Sequence, residues 1–323
     1  MRNRTLLLFI FSLAVSMVIS SCARQEEKKP ERTRLVVVAT LFPLYDFAKN
    51  VAGERAEVTL LLPPGAEPHG FEPKPADFVR LNRADVFLYT SPDMEPWASD
   101  ILKGLQNRAL EVVNTSRGII TGEGREEDQH RHDRQVKPIP GHHSRSGAAD
   151  PHIWLDFRNA VTMVENIRDS LVKKDPAGKD VYEKNAASTI GQLQALDERF
   201  RRGLQNCEKK VLVNGGHFAF DYMAKRYGFR YVSVYGISPD AEPTAATLAK
   251  LTRLIRENRL GYLFHEELIS PRVAETLAGE TGTTLLKLYP AGNISKEQFD
   301  RGDSFITLMD RNLESLKTGL QCP

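Results

Sequence analysis

The pattern of apolar and polar residues predicts an α/β region at the start of the folded chain. Residues 35–40 form a continuous aliphatic run, which suits a parallel strand that is buried on both faces. Shorter aliphatic runs then alternate with helical patterns, and this order is typical of a parallel sheet covered by helices. The predicted elements are strands over 35–40, 58–62, 86–90 and 110–113, and helices over 45–51 and 97–105.

Two long helical patterns follow this region. Apolar residues at helical spacing predict one helix over 159–174, which Asp175 and Pro176 end. The same spacing predicts a second helix over 180–204. At 1.5 Å per residue, the second helix spans roughly 35 to 40 Å, which is long enough to cross a whole lobe.

A second alternation of strands and helices fills the rest of the chain. It predicts strands over 210–213, 231–234, 262–264 and 284–288, and helices over 218–227, from 243, over 271–279 and over 305–320. The expected fold class is therefore α/β, with two lobes that each hold a parallel sheet flanked by helices, joined by one long spanning α-helix. We assign the N-terminal lobe to 35–178, the spanning helix to 179–205 and the C-terminal lobe to 206–323.

The N-terminus has the pattern of an export signal. Arg2 and Arg4 precede an apolar run over 6–19, which is short for a membrane span. The run ends in Ile-Ser-Ser-Cys22, which resembles a bacterial lipobox. We therefore expect a signal peptide over 1–21, lipidation of Cys22, a flexible tether over 22–34 and a lipid-anchored protein in the periplasm or on the cell surface. A plain signal peptide with an incidental cysteine is the alternative.

Composition and charge exclude some partners. The 323 residues are 41% apolar and 27% charged, as in soluble globular proteins, and the net charge is only +2. No long basic stripe with interleaved aromatic residues occurs, so we expect no nucleic acid partner. We expect a monomer.

A histidine-rich segment interrupts the first lobe over 121–149. It is polar, has no aromatic residue and carries too little apolar surface to fold alone, so we expect a mobile loop. Histidines in such a loop favour weak, exchanging metal contacts. The candidates for auxiliary metal capture are His130, His132, His142 and His143. A merely hydrophilic insertion is the alternative.

Three further histidines occupy positions that suit a metal site. His69 lies in a loop rich in Pro and Gly after the second strand, His152 in a Pro-containing turn, and His217 after the strand over 210–213. Three neutral imidazoles at about 2.0 to 2.1 Å form a site that zinc prefers. Each histidine alone also fits a solvated or structural role. Together they predict a zinc site in a cleft between the lobes.

Several short motifs, spread in order over nearly the whole chain after residue 37, match the sequence pattern of a known protein family. They are Phe42 to Ala48 (FPLYDFA), Gly65 to Pro73 (GAEPHGFEP), Asp150 to Asp156 (DPHIWLD), His217 to Phe220 with Tyr227-Gly228, Ala241-Glu242-Pro243, and Ser270-Pro271 with Ala274-Glu275. On these motifs the chain resembles the zinc and manganese substrate-binding lipoproteins of metal ABC transporters. The resemblance implies a rigid two-lobed protein with a spanning helix, metal ligands at His69, His152 and His217, and permease subunits as partners.

One stretch departs from the family pattern. Family members commonly have a fourth ligand, Asp or Glu, after the last strand, whereas residues 288–293 here contain no carboxylate. A set of three histidines without a matching acid resembles the zinc-type members more than the manganese-type members, because manganese usually has harder oxygen ligands. We expect water as the fourth ligand, with Glu67 or Glu266 as alternatives. We expect His265 to be structural.

The remaining cysteines are Cys207 and Cys322. In an exported chain a disulfide between them is chemically permitted, and it would fix the C-terminal tail to the second lobe. Two free buried thiols are the alternative.

The expected function is capture of Zn²⁺ between the lobes and its delivery to a membrane permease, without enzymatic activity. The alternatives are a manganese carrier of the same family, a surface adhesin, and a three-histidine zinc hydrolase in which Glu67 acts as a base.

Overall fold

The structure, a computed structural model, describes residues 34–120, 149–239 and 243–323. The expected signal peptide, Cys22 and nearly all of the tether lie outside these ranges, and so do His130, His132, His142 and His143. Across the described ranges, no helix is both long and apolar enough to cross a membrane.

The N-terminal lobe is built on a four-stranded parallel sheet with the strand order β2-β1-β3-β4. The two central strands are aliphatic or aromatic throughout, and most of their side chains are buried because helices cover the sheet. The strands are β1 (Leu35–Ala39), β2 (Ala56–Leu60), β3 (Val86–Tyr89) and β4 (Glu111–Asn114), and the helices are α1 (Phe42–Ala52), α2 (Pro75–Arg83) and α3 (Ala98–Gly104).

Two long helices follow the first sheet in the chain, and the second of them joins the two lobes. In α4 (Phe157–Lys174), Asp156 caps the N-terminus by accepting a hydrogen bond from the backbone of Arg158. The spanning helix α5 (Lys179–Leu204) has 26 residues, which corresponds to roughly 39 Å. Its buried face includes Tyr182, Leu193 and Phe200, so one stripe of this helix contributes to the cores of both lobes.

The C-terminal lobe repeats the design with a second four-stranded parallel sheet in the order β6-β5-β7-β8. Side chains of Thr or Ser cap three of its helices at their N-termini. The strands are β5 (Val211–Asn214), β6 (Arg230–Ser233), β7 (Tyr262–Glu266) and β8 (Thr284–Leu288), and the helices are α6 (Asp221–Tyr227), α7 (Ala245–Glu257), α8 (Arg272–Thr281), α9 (Lys296–Arg301) and α10 (Phe305–Gly319).

These sheets and the long helix confirm the predicted fold class. Several boundaries differ from the prediction. The helix predicted over 45–51 spans Phe42–Ala52, and the helix predicted from residue 218 begins only at Asp221. The short helices α2 and α9 were not predicted, since both are polar and bury almost no apolar side chains.

A disulfide joins Cys207 and Cys322. The adjacent backbones are also hydrogen-bonded, with Lys209 donating to Leu320 at 3.0 Å and Glu208 donating to Gln321 at 3.1 Å. Cys207 precedes the amino end of β5, whereas the loop that carries His217 follows its carboxyl end. These contacts therefore hold the C-terminal tail at the end of the sheet that lies away from His217.

Candidate metal centre

The three histidines that the sequence singled out converge on one point between the lobes. His69 follows β2, His217 follows β5, and His152 lies in the turn before α4. The Nε2 atom of His152 lies 3.2 Å from Nε2 of His69 and 3.0 Å from Nε2 of His217. One nitrogen from each ring lies within 4.8 Å of the other two, which makes these residues a group that could hold a metal ion.

The spacing of these nitrogens suits a tetrahedral ion. Bonds of about 2.0 to 2.1 Å at tetrahedral angles separate two ligand nitrogens by about 3.3 Å. The Nε2 separations of 3.0 and 3.2 Å are close to this value. The two measured separations therefore fit an ion bound by His152 together with His69 and His217, after small movements of the rings.

Backbone geometry and a carboxylate fix the ring of His152. Pro151 restricts the chain just before it, and a 3₁₀ turn over Ile153–Leu155 follows. Asp150 Oδ1 accepts hydrogen bonds from the backbone N–H of His152 at 3.0 Å and from its Nδ1 at 2.7 Å. Donation from Nδ1 leaves the lone pair on Nε2 for a metal.

Burial sets the charge state of this pair. It lowers the pKa of His152 well below its usual value, and the neighbouring His217 lowers it further. Burial also raises the pKa of Asp150 to about 7, although the hydrogen bond from the His152 backbone opposes this. A neutral imidazole is therefore the stable form of His152, and this is the form that binds a metal.

A second carboxylate fixes the ring of His217. Glu266 Oε2, at the end of β7, accepts from Nδ1 of His217 at 2.6 Å, and its Oε1 accepts from the side-chain amide of Asn214 at 2.8 Å. Burial alone would lower the pKa of His217, but the charge and the hydrogen bond of Glu266 raise it above its usual value. Protons therefore compete with a metal for this histidine more than for an ordinary one.

Glu266 and Glu67, the two alternatives to water as the fourth ligand, have different positions relative to the metal site. Glu266 contacts the Nδ1 side of His217, whereas the metal position lies on the Nε2 side, so its position favours support of the ligand. Glu67 lines the cavity, and its Oε2 accepts from the backbone of Gly70 at 2.8 Å. His265 lies on β7 outside the histidine cluster and is half-buried.

A small cavity adjoins the three rings. Its volume is about 30 Å³, which is room for one or two water-sized groups. Besides the histidines, it is lined by apolar side chains, by residues 289–293, which contain no carboxylate, and by three glutamates, Glu67, Glu266 and Glu267. A water molecule therefore fits beside an ion at this place.

Sequence reasoning did not assign the residues that support the histidines. From the sequence, Asp150 is part of a motif, Glu266 is a possible ligand, and Asn214 is only a residue of the loop before His217. The local signal for Asp150 was its position two residues before His152. Glu266 had no such signal, because it is 49 residues away from His217 along the chain.

The fold and the site together define a two-lobed protein with a candidate metal centre between its lobes. Comparison with known protein families matches residues 37–319 to the family described as "ZnuA: Zinc-uptake complex component A periplasmic". The chain belongs to this family, which confirms the resemblance seen in the sequence motifs.

Individual relatives agree with this assignment. The chain is 38% identical to the "High-affinity zinc uptake system protein ZnuA" of Bacillus subtilis over 316 residues, or 97% of each chain. It is 36% identical to the "Zinc-binding lipoprotein AdcA" of Streptococcus pneumoniae over 302 residues. That alignment covers 94% of this chain but only 58% of the relative, so the chain corresponds to little more than half of AdcA.

A solved structure shows the same fold. The "Zn(II)-bound ZnuA-like domain of Streptococcus pneumoniae AdcA" superposes with a TM-score of 0.74 at 35% identity. The match covers 89% of this chain and 99% of that domain.

Proposed function

We propose that this protein captures Zn²⁺ outside the cytoplasm and delivers it to the permease of a metal ABC importer. The observation that carries the proposal is the convergence of three imidazole nitrogens from two lobes, two of them oriented by the carboxylates of Asp150 and Glu266. Membership of the zinc-uptake family and the zinc-binding relatives support it.

In this proposal His69, His152 and His217 bind the ion through Nε2, and water completes the shell. Three nitrogen donors favour zinc over manganese, for which oxygen ligands are more usual. Asp150 and Glu266 orient two of the rings and together balance the double charge of the ion when both are ionised. The cavity beside the rings has room for the water.

Zinc titration of purified apo-protein tests the metal site. We expect one tight site in the wild type and its loss in His69→Ala, His152→Ala and His217→Ala, because two imidazoles cannot complete the shell. His265→Ala is the matched control, since this histidine lies outside the cluster and should leave the affinity unchanged. Unchanged zinc affinity in His217→Ala would reject the assignment.

The same samples separate a carrier from the other functions considered. A hydrolase needs a base that reaches a metal-bound water, and Glu67, which lines the cavity, is the candidate base. We expect no esterase or hydratase turnover above that of free zinc, and weaker binding of Mn²⁺ than of Zn²⁺. Turnover that is lost in His217→Ala would instead support the hydrolase. Binding to a host macromolecule without zinc would support the adhesin.

Anchoring through Cys22 and auxiliary capture by His130, His132, His142 and His143 belong to the same proposal. Cys22→Ser should release the protein from the membrane fraction without a change in zinc affinity. Replacing the four histidines by serine should remove only weak additional zinc, because ordering a polar segment around an ion costs conformational entropy. A quadruple variant that loses the tight site would show that the histidine-rich segment holds the principal metal.

A further inference from the structure

Residues 289–294 of the second lobe, here called the seam loop, contact both lobes. At its start, Tyr289 exchanges two hydrogen bonds of 2.8 Å with the side chain of the buried Asn312 on α10. At its end, the carbonyl of Ile294 accepts from the backbone of Gly65 in the first lobe at 2.7 Å. The loop therefore lies between the helix that closes the second lobe and the loop that carries His69.

Asn293 makes side-chain hydrogen bonds across this seam. Its Nδ2 atom donates to the carbonyls of Pro63 and Ala66, both at 2.8 Å, and its Oδ1 accepts from the backbone of Ile294 at 2.9 Å. The residue is only 5% exposed, so water cannot readily replace these bonds. A side-chain amide suits the position, because its two N–H groups match two carbonyl oxygens that a carboxylate would repel.

The seam loop also packs against the neighbours of two candidate ligands. The indole N–H of Trp154, two residues after His152, donates to the carbonyl of Pro290 at 2.8 Å. A Cβ on Gly292 would lie 3.3 Å from the Trp154 ring and 3.5 Å from Pro68, the residue before His69. Ala291 adopts a left-handed backbone with φ of 58°, which is unusual for alanine and shows that the surrounding contacts determine the shape of the loop.

We propose that Asn293 is a positioning residue for the metal centre, because its amide fixes the His69 loop relative to the lobe that holds His217. The inference rests on the proposed zinc site and extends it to a residue that does not touch the ion. His217 is oriented from within the second lobe by Glu266, whereas His69 reaches the site on a long loop rich in Pro and Gly. The amide sets the distance between these two imidazoles by holding Pro63 and Ala66.

Asn293→Ala tests the proposal against a matched asparagine. In Asn166, on α4, Nδ2 likewise donates to two backbone carbonyls, those of Thr115 and Arg117, both at 2.9 Å, but within one lobe. Asn166→Ala therefore removes two hydrogen bonds of the same kind at a place that does not join the lobes. Zinc affinity and release rate would be measured by chelator competition, together with the d–d absorption of the Co²⁺ form and the melting temperature of the apo-protein.

Asn293→Ala should weaken zinc binding by about tenfold, mostly through faster release, since two hydrogen bonds are lost. It should also change the Co²⁺ spectrum, and Asn166→Ala should lower only the melting temperature. Asn293→Ser, which keeps one donor, should give an intermediate loss and serves if the alanine variant does not fold. Wild-type affinity and Co²⁺ spectrum in both Asn293 variants would overturn the inference but leave the zinc site intact. A wild type without a tight zinc site would overturn both.

Discussion

The carboxylate of Glu266 occupies the space in which residue 216 would carry a side chain. A Cβ added to Gly216 would lie 1.9 Å from Glu266 Oε1, and the carboxylate could not stay where it now accepts from His217. Glycine at position 216 thus leaves room for Glu266 to orient His217, one of the candidate zinc ligands.

Gly216→Ala should lower zinc affinity at least tenfold, the scale of effects seen when a partner of a metal ligand is lost. The control is Gly279→Ala on α8, where an added Cβ meets nothing within 4 Å. That change should preserve zinc affinity and raise the free energy of unfolding by about 0.5 to 1 kcal/mol, because alanine favours a helix. Chelator competition and urea unfolding measure the two quantities. Wild-type zinc affinity in Gly216→Ala would contradict the importance of this close approach.

Glu266→Gln should weaken zinc binding by about 10- to 100-fold at pH 8, since the ligand loses a charged partner. The effect should shrink as pH falls. Glu266 raises the pKa of His217, so it strengthens proton binding as well as metal binding at this ring. As pH is lowered, the zinc affinity of the wild type should begin to fall at a higher pH than it would if His217 had the pKa of an ordinary histidine.

Zinc affinities of the wild type and of Glu266→Gln between pH 5.5 and 8 check this pH dependence. Asp175→Asn is the control, because Asp175 accepts from Arg55 and Tyr182 away from the histidine cluster. It should cost stability but leave the pH profile of zinc binding unchanged. A constant ratio of the two affinities across this range would show that Glu266 does not act through His217.

The disulfide between Cys207 and Cys322 should stabilise the fold without affecting the metal. The two cysteines are 115 residues apart, and closing a loop of this size contributes roughly 4 to 5 kcal/mol in the chain-entropy model. Serine at both positions should lower the free energy of unfolding by an amount of this order, with zinc affinity unchanged. Peptide mapping of non-reduced protein that finds both thiols alkylated would show that the bond does not form.

The sequence predicted those features that depend on short stretches of chain. Buried parallel strands have continuous aliphatic runs, and the loops that follow such strands lie at the ligand-binding edge of each lobe, so the sequence alone predicted that His69 and His217 share a site. The supporting contacts depend on distant residues. Asn293 lies 227 residues from Ala66, and residues 288–293 drew attention only for the carboxylate that they lack.

Glu95 is a buried carboxylate that is not part of the cluster of three histidines. It accepts hydrogen bonds from the side chain of Thr40 at 2.5 Å and from the backbones of Thr90 and Ser91 at 3.0 Å, at the carboxyl ends of β1 and β3. Burial raises its pKa to about 7, although these hydrogen bonds lower it. The ionised form is therefore costly in the folded protein, and the proton is held more tightly there than in the unfolded chain.

A raised carboxyl pKa makes folding stability fall as pH rises, because the folded state keeps a proton that the unfolded state has released. For Glu95 the window runs from the ordinary value of 4.5 to about 7. Glu95→Gln cannot ionise, so relative to the wild type it should gain roughly 2 to 3 kcal/mol of unfolding free energy between pH 5 and 8. Asp46 and Asp150, whose pKa values burial also raises, cancel in this difference. Urea unfolding of both apo-proteins measures it, and a difference that does not change with pH would mean that Glu95 titrates normally in the folded protein.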